Sequence, residues 1–323
     1  PTAEDYQVVY TIDGANLKQA SLEKEYTKYA IQFIKQLADL KVDEHRKPQK
    51  GPFEVRQGSK HSEWEVNTAG STAGEQMHLR LATKQVEEKL PNLGFTSNQL
   101  EQLNDLSEFK QGVFLVTGPA KSGVTTTFYS MVRNHDAFLN SINTLERSIS
   151  SELPNVTQKE FSLSDTGTTT FFQQLRTIIR MGPDVVGVAG CQDKDSAKLI
   201  SEAGNDNVIF YVTMEADSLL NALAKWIKMV GDKKTALKSL LGITNQRLLR
   251  KLCDECKQGY TPNKEILRKF NLPPEKAKVL YREGKVIYDK HGKPYPCENC
   301  QEIGFLGRTG IFEMIMFDNE LRE

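Results

Sequence analysis

The sequence predicts an α/β protein: a smaller mixed α+β part first, then a parallel sheet covered by helices. Three observations predict it. Gly112–Thr117, Asp184–Val188 and Val208–Val212 are short, nearly continuous apolar runs, as strands buried on both faces are. Helical periodicity alternates with them, clearest at Ser218–Val230. A turn carrying Gly118 and Gly123 joins the first run to a predicted helix at Thr125–Arg133.

In chain order, Tyr6–Ile12 alternates with period two and Asp13-Gly14 signals a turn. A long helix is predicted after Ser21. Its apolar face is Tyr26, Tyr29, Ala30, Phe33, Ile34 and Leu37. Glu23 and Glu25 fall in its first turn, where carboxylates favour the helix dipole. Polar punctuation runs from Asp43 to Gly51. Phe53–Gln57 and Glu63–Asn67 read as hairpin strands around Gly58–Ser62, and Met77, Leu79 and Leu81 alternate in a third strand. An antiparallel sheet beside one or two helices fits this order. Lys84–Gly94, with Pro91, reads as a linker. In Ser218–Val230, Leu219, Leu220, Leu223, Trp226, Ile227 and Val230 form one side. There is no internal repeat and no low-complexity tract.

Composition bounds the function. The 323 residues are enough for two domains with real cores. Forty-two basic and 42 acidic residues cancel, which argues against a simple electrostatic nucleic-acid binder. With 38% hydrophobic and 26% charged residues the chain is globular rather than disordered. No apolar run approaches the ~18–20 residues of a membrane span. The start at Pro1 lacks a basic stretch followed by an apolar one, so no signal peptide is expected there. Pro1 is not an initiator Met, and a fragment or processed chain is expected.

The turn reads Gly118-Pro-Ala-Lys-Ser-Gly-Val-Thr125-Thr126-Thr127. Against G-x-x-x-x-G-K-[ST], Gly118, Gly123 and Thr125 are in place and Val124 stands where the lysine belongs. A loop between strand and helix presents N–H groups to phosphate, here from Gly118, Ser122, Gly123, Thr125 and Thr126. Thr125 retains a hydroxyl suited to magnesium. Val124 supplies no charge, a loss of about 1.5–3 kcal/mol for an ordinary contact to a charged group. The other readings are an ordinary glycine turn, or Lys121 reaching a phosphate from inside the loop.

Cys253-x-x-Cys256 and Cys297-x-x-Cys300 form two pairs. Two tight turns bearing thiolates can close a tetrahedral zinc site, and four cysteines with no open position make it structural. Unligated thiols or a redox pair are the alternatives. Cys191 reads as a small core residue. His45, His61, His78, His135 and His291 show no paired metal spacing and read as surface or ordinary polar positions.

Several stretches together resemble the motor ATPases of type II secretion and type IV pilus assembly. VTGPAKSGVTTTFY looks like that family's VTGPTGSGKTTTLY. Thr144-Leu-Glu146-Arg-Ser resembles its T-I-E-D-P box. Leu175-Arg176-x-x-x-Arg180-Met-Gly-Pro183-Asp184 resembles LRxxLRxDPD. Ser239 to Cys253 is similar to SLLGVxxQRLVRRLC, and Gly304 to Met314 to GYRGRTGIYEL. Ile12-Asp13-Gly14, Glu44 to Gln49 and Gly74-Glu75 also fall in family order. The resemblance implies a PAS-like α+β domain over 1–86 and a RecA-like P-loop core over 87–252. It further implies an inserted tetracysteine zinc module over 253–303 and the start of a C-terminal segment over 304–323. The family normally has a further N-terminal domain and more C-terminal helices. A homo- or hetero-hexamer of family members is implied, cytoplasmic and peripheral to the inner membrane, meeting membrane platform proteins. No nucleic-acid partner is expected.

The departures fall where ATP would react. Arg147 replaces the second acidic-box residue, while Glu146 is retained and by resemblance orients or activates water. Gly190 and Gln192 replace the glutamate and arginine of GEIRD, and Asn207 and Met214 replace both histidines of the histidine box. Arg176 and Arg180 either serve a neighbour's nucleotide or make structural ion pairs. Phosphoryl transfer depends on electrostatic stabilisation. The expected protein is therefore a degenerate ATPase with structural zinc, weak ATP and magnesium binding, and a structural or regulatory role. A working motor with an altered site is the alternative, and a zinc-bearing nucleic-acid binder the third reading.

Overall fold

The computed structural model describes residues 5–58, 60–82, 88–284, 287–288, 294–295, 297–300 and 302–322. Contacts divide the chain into two units, Pro1–Gln85 and Val86–Glu323. The expected boundary at 86/87 and the first part of the expected linker, 84–87, lie outside the described residues, as does His291.

In the first unit, β1 (Asp5–Ile12) and β2 (Ala15–Glu23) form a hairpin that turns at Asp13 and Gly14, both at positive φ. Helix α1 (Lys24–Leu37) follows. Strands β3 (Gln49–Gln57), β4 (Lys60–Ser71) and β5 (Gly74–Ala82) pair antiparallel in that order. The strands run longer than their alternation suggested, and β2 was not foreseen.

The buried face of α1 differs from the predicted one. Thr27, Ile31 and Lys35 point inward, while Tyr26, Tyr29, Phe33 and Leu37 are exposed, Tyr29 by 71%. The physical reason is Lys35, which is 0% exposed. Its Nζ lies 2.6 Å from Glu75 Oε1 and donates to the carbonyl of Glu44 at 2.7 Å. Glu75 Oε2 meets His45 Nδ1 at 2.8 Å. A buried ion pair with hydrogen bonds orients this helix, beside a small apolar cluster of Ala38, Phe53 and Val66.

The second unit opens with α2 (Ser97–Asp105), started by a capping box between Thr96 and Gln99. There follow β6 (Gly112–Gly118), α3 (Val124–Arg133), β7 (Ile142–Glu146), β8 (Thr157–Glu160), α4 (Phe171–Arg180), β9 (Val185–Ala189), α5 (Lys194–Ala203), β10 (Ile209–Glu215), α6 (Leu219–Val230), α7 (Lys233–Lys238) and β11 (Leu240–Leu252). Then come β12 (Gln258–Tyr260), α8 (Lys264–Lys269), β13 (Leu280–Arg282), β14 (Ile287–Tyr288), β15 (Pro294–Tyr295), β16 (Phe305–Met316) and α9 (Asn319–Arg322). The main sheet has the order β16-β11-β6-β10-β9-β7-β8. Its neighbours are parallel except β11 and β16. One face carries Leu115, Val186, Val212 and Trp226, the other Phe114, Val116, Phe128 and Tyr129. The apolar runs of the sequence are thus central strands sandwiched between helices.

Two further expectations are corrected. From Leu90 onward the supposed linker belongs to the core of the second unit. Leu90 is 3% exposed, Phe95 stacks on Phe312, and Gly310 N donates to the Leu93 carbonyl at 2.7 Å. These residues cover part of the edge strand β16. His135 is buried, not superficial. Its Nε2 hydrogen-bonds Tyr211 Oη at 2.7 Å, and burial lowers its pKa to about 4.

The two tryptophans, Trp64 and Trp226, lie in different units and report them separately. Lys35→Met strands Glu75 and is expected to destabilise the first unit by about 3–5 kcal/mol. Denaturant unfolding read by Trp64 in a Trp226→Phe background checks this, with Lys35→Met/Glu75→Leu expected to recover part of the loss. His135 titrates near 4 folded and about 6.5 unfolded. The unfolded state therefore binds more protons between these values. Stability of the second unit should fall by up to about 3 kcal/mol as pH drops from about 6.5 to about 4. His135→Asn should flatten that slope in Trp226 unfolding curves.

Candidate functional site

Strand β6 is buried along its whole length and delivers the chain to the carboxyl edge of the sheet. There it turns through Pro119–Gly123 into α3. Lys121 (φ 64°) and Gly123 (φ 87°) both take left-handed conformations, a backbone that gathers N–H groups on one side. Gly118 has no room for a side chain. A Cβ there would lie 2.3 Å from Ser122 Oγ and 2.8 Å from the Gln246 carbonyl oxygen.

Side chains from β6 and β11 lock the base of this loop. Thr117 Oγ1 donates to the Thr244 carbonyl at 2.7 Å, and Asn245 Nδ2 donates to Thr117 Oγ1 and to the Ala216 carbonyl. Ala216 N donates to the Gly118 carbonyl at 3.1 Å. Gln246 Nε2 donates to the Ser122 carbonyl at 2.9 Å. Arg247 donates to Asn245 Oδ1 and to the carbonyls of Gln246 and Asp217. Ser122 Oγ and Gln246 Oε1 are buried without a hydrogen-bond partner. The base of the loop therefore has a polar floor left unsatisfied. Thr125 is exposed at its rim and Thr126 half-buried. Val124 packs against the core cluster of Phe114, Val116 and Phe128.

Two carboxylates at this edge, Glu146 and Asp193, are committed elsewhere, while Glu215, level with Gly118 in the sheet, is exposed. Glu146 is 1% exposed. Its Oε1 accepts from Thr144 Oγ1 at 2.5 Å and Gln158 Nε2 at 3.1 Å, and its Oε2 accepts from Tyr129 Oη. Burial, then the Glu146 contact, pushes the Tyr129 hydroxyl up to about 12. Beyond β9, Gly190 sits at φ 86°, a region that disfavours a side-chain-bearing residue. Asp193 caps α5, accepting from Ser196 N and Oγ at 2.8 Å each. Met214 is buried in the core. Cys191 packs against that core, and burial raises its pKa to about 12. Arg176 and Arg180 are exposed on α4. The structure thus brings Gly118, Ser122, Gly123 and Thr125 together and places Glu146 in a buried network. Gln246 was not singled out from the sequence. Its only signal was its place in the run from Ser239 to Cys253.

Cys253 ends the β11 side of the β11–β16 pairing, and Cys300 lies just before β16. All four sulfurs lie within 4.8 Å of one another. Cys253 and Cys297 Sγ are 3.9 Å apart, Cys256 and Cys300 Sγ 3.6 Å. A tetrahedral ion with ~2.3 Å sulfur bonds needs edges of about 3.8 Å, so the cluster fits a metal ion. Gly304 N donates to Cys300 Sγ at 3.3 Å. The N–H groups of Cys300 and Asn299 hold the Cys297 thiol down to about 7, while burial pushes Cys256 up to about 12. A bound cation would offset the repulsion of four crowded thiolates.

The whole chain, residues 1–323, matches the family model described as "Type II/IV secretion system protein". The type IV pilus assembly ATPase PilB of Thermus thermophilus is 28% identical over 323 residues, covering 100% of this chain and 35% of its own length. A type II secretion system protein E of Dickeya dadantii is 32% identical over 314 residues, covering 97% and 60%. The chain therefore spans between about a third and three-fifths of these relatives. Among solved structures, the Legionella pneumophila ATPase DotB superposes with a TM-score of 0.63 at 15% identity, over 99% of this chain and 78% of that one. The pilus retraction motor PilT gives 0.51 at 21%, over 78% and 76%. At these identities the likeness shows the fold, an α/β RecA-like core. No helix among the described residues is long and apolar enough to cross a membrane. With its full length matched and its phosphate loop, sheet and cysteine cluster in place, the chain belongs to the type II/IV secretion system protein family.

Proposed function

We propose that this chain is the PAS-like and RecA-like portion of a secretion or pilus-assembly ATPase whose catalytic site has degenerated. It holds nucleotide weakly, does not turn it over, and serves as a structural or regulatory component of a secretion or pilus machine. The observation that carries this reading is the separation of shape from charge at the phosphate loop. The cradle around Gly118, Ser122 and Gly123 is intact, while Val124 is packed among apolar residues and offers no cation. Gly190 removes the magnesium-side carboxylate, and Asp193 is spent on a helix cap. Glu146 would be reachable by water only if its bonds to Thr144, Gln158 and Tyr129 were exchanged.

The first unit would be the PAS-like domain, 87–252 the core, 253–303 a zinc module, and 304–323 the start of a further segment. Cys253, Cys256, Cys297 and Cys300 would hold structural zinc. Among its described residues the module has few that are buried, with Phe270, Val279 and Tyr281 exposed, so metal binding would stand in for a core. Arg176 and Arg180, exposed on α4, would face a neighbouring family member in a hexameric ring. The assembly would lie in the cytoplasm on the inner membrane, against platform proteins. A neutral charge balance gives no reason to add a nucleic-acid partner.

Calorimetric titration with Mg-ATP, with phosphate release followed in the same sample, tests the reading. Weak binding without release is expected, and steady release would establish an active motor instead. Val124→Lys should tighten binding by about ten- to a hundredfold, the worth of one charge-assisted contact, without bringing steady release. Elemental analysis should find one zinc per chain. Cys253→Ser or a chelator should open residues 254–299 to protease while Trp226 fluorescence stays native. A metal-free chain with the same protease resistance would count against the zinc assignment.

A further inference from the structure

We propose that Gln246 is the positioning residue of the phosphate loop, holding Ser122 so that its hydroxyl and the loop N–H groups face a phosphate-class anion. This rests on the reading of the loop as a retained cradle. Gln246 lies on β11 and is 2% exposed. It touches both ends of the loop. Its Nε2 donates to the Ser122 carbonyl at 2.9 Å, and its own carbonyl oxygen would be 2.8 Å from a Cβ on Gly118. Its backbone is in turn fixed by Arg247, which donates to the Gln246 carbonyl at 3.2 Å and to Asn245 Oδ1 at 3.1 Å.

Two buried side-chain atoms of this one contact, Ser122 Oγ and Gln246 Oε1, have no hydrogen-bond partner. Buried polar atoms are normally satisfied. Their chemistry is complementary to a hydrated phosphate. The serine hydroxyl donates to a phosphoryl oxygen, and the amide oxygen accepts from a water or a protonated oxygen beside it. With Val124 in the lysine position, the loop has no side-chain cation of its usual kind to draw a ligand in. Its affinity then depends on how rigidly the N–H groups are aimed, which is what Gln246 controls.

The test uses inorganic pyrophosphate as probe and three readouts: calorimetric affinity, amide exchange of residues 120–124 without ligand, and melting temperature. Gln246→Met should speed exchange at 120–124 at least tenfold and weaken pyrophosphate at least tenfold, with the melting temperature nearly unchanged. If that variant unfolds, Gln246→Glu, which keeps the length and loses the donor, is read in its place. Ser122→Ala should weaken pyrophosphate three- to tenfold with native exchange, because its hydroxyl contacts the ligand and holds nothing in the free protein. Native exchange or native pyrophosphate affinity in the Gln246 variant overturns the proposal. A wild-type chain that binds no pyrophosphate overturns the cradle reading beneath it, a different failure and separately visible.

Discussion

The close approach of β11 to the turn after β6 is the constraint on which the rest of the second unit depends. Gly118 must lack a side chain because the Gln246 carbonyl oxygen and the Ser122 hydroxyl occupy that space. The same contact fixes the register of β11 beside β6, with Asn245 opposite Thr117. From that register the strand runs on to Cys253, and β16 returns along it from Phe305. The phosphate loop and the cysteine cluster are therefore set by one strand. The loop's shape comes from backbone packing and neutral hydrogen bonds, none of which requires a lysine.

That independence is what allows the proposed loss of chemistry to leave the architecture in place. A lysine in such a loop reaches toward phosphate and contributes little to the core. A valine at the same place turns toward Phe114, Val116 and Phe128 and adds apolar contact. Glu146 has a structural role of its own, as a buried acceptor. Three donors converge on its buried carboxylate, and removing it would leave Tyr129, Thr144 and Gln158 short of a partner.

Much of this was legible in the sequence because the signals were local. GVFLVT is continuous and apolar because β6 is covered on both faces, and each Cys-x-x-Cys spacing is a local signal of a metal-ligand pair, which β11 and β16 bring together. What was illegible depended on distant partners. Apolarity alone placed Tyr26, Tyr29, Phe33 and Leu37 inward, but Lys35 finds Glu75 forty residues later and turns the helix the other way. His135 sits between Asn134 and Asp136 in a polar stretch, and only the sheet brings Tyr211 to it. Leu90 lies beside Pro91 in a polar segment, yet it belongs to the core beneath the β16 edge. Gln246 looked like one polar residue in a strand, since its role appears only where β11 meets the loop.

The groups whose loss is proposed are not equally easy to restore. At position 124 the backbone is ordinary helix and a longer side chain needs only to leave the apolar surface it now touches. At position 190 the backbone sits at φ 86°, which disfavours a side-chain-bearing residue, and Gln192 Nε2 donates to the Gly190 carbonyl at 2.6 Å. A carboxylate there would need the turn rebuilt as well as a new side chain. The adjacent Asp193 cannot substitute without uncapping α5. On the proposed reading, charge at the loop is one substitution away, while a carboxylate at position 190 needs a different backbone conformation as well. The two halves of the proposed degenerate site therefore differ in what restoring them would require.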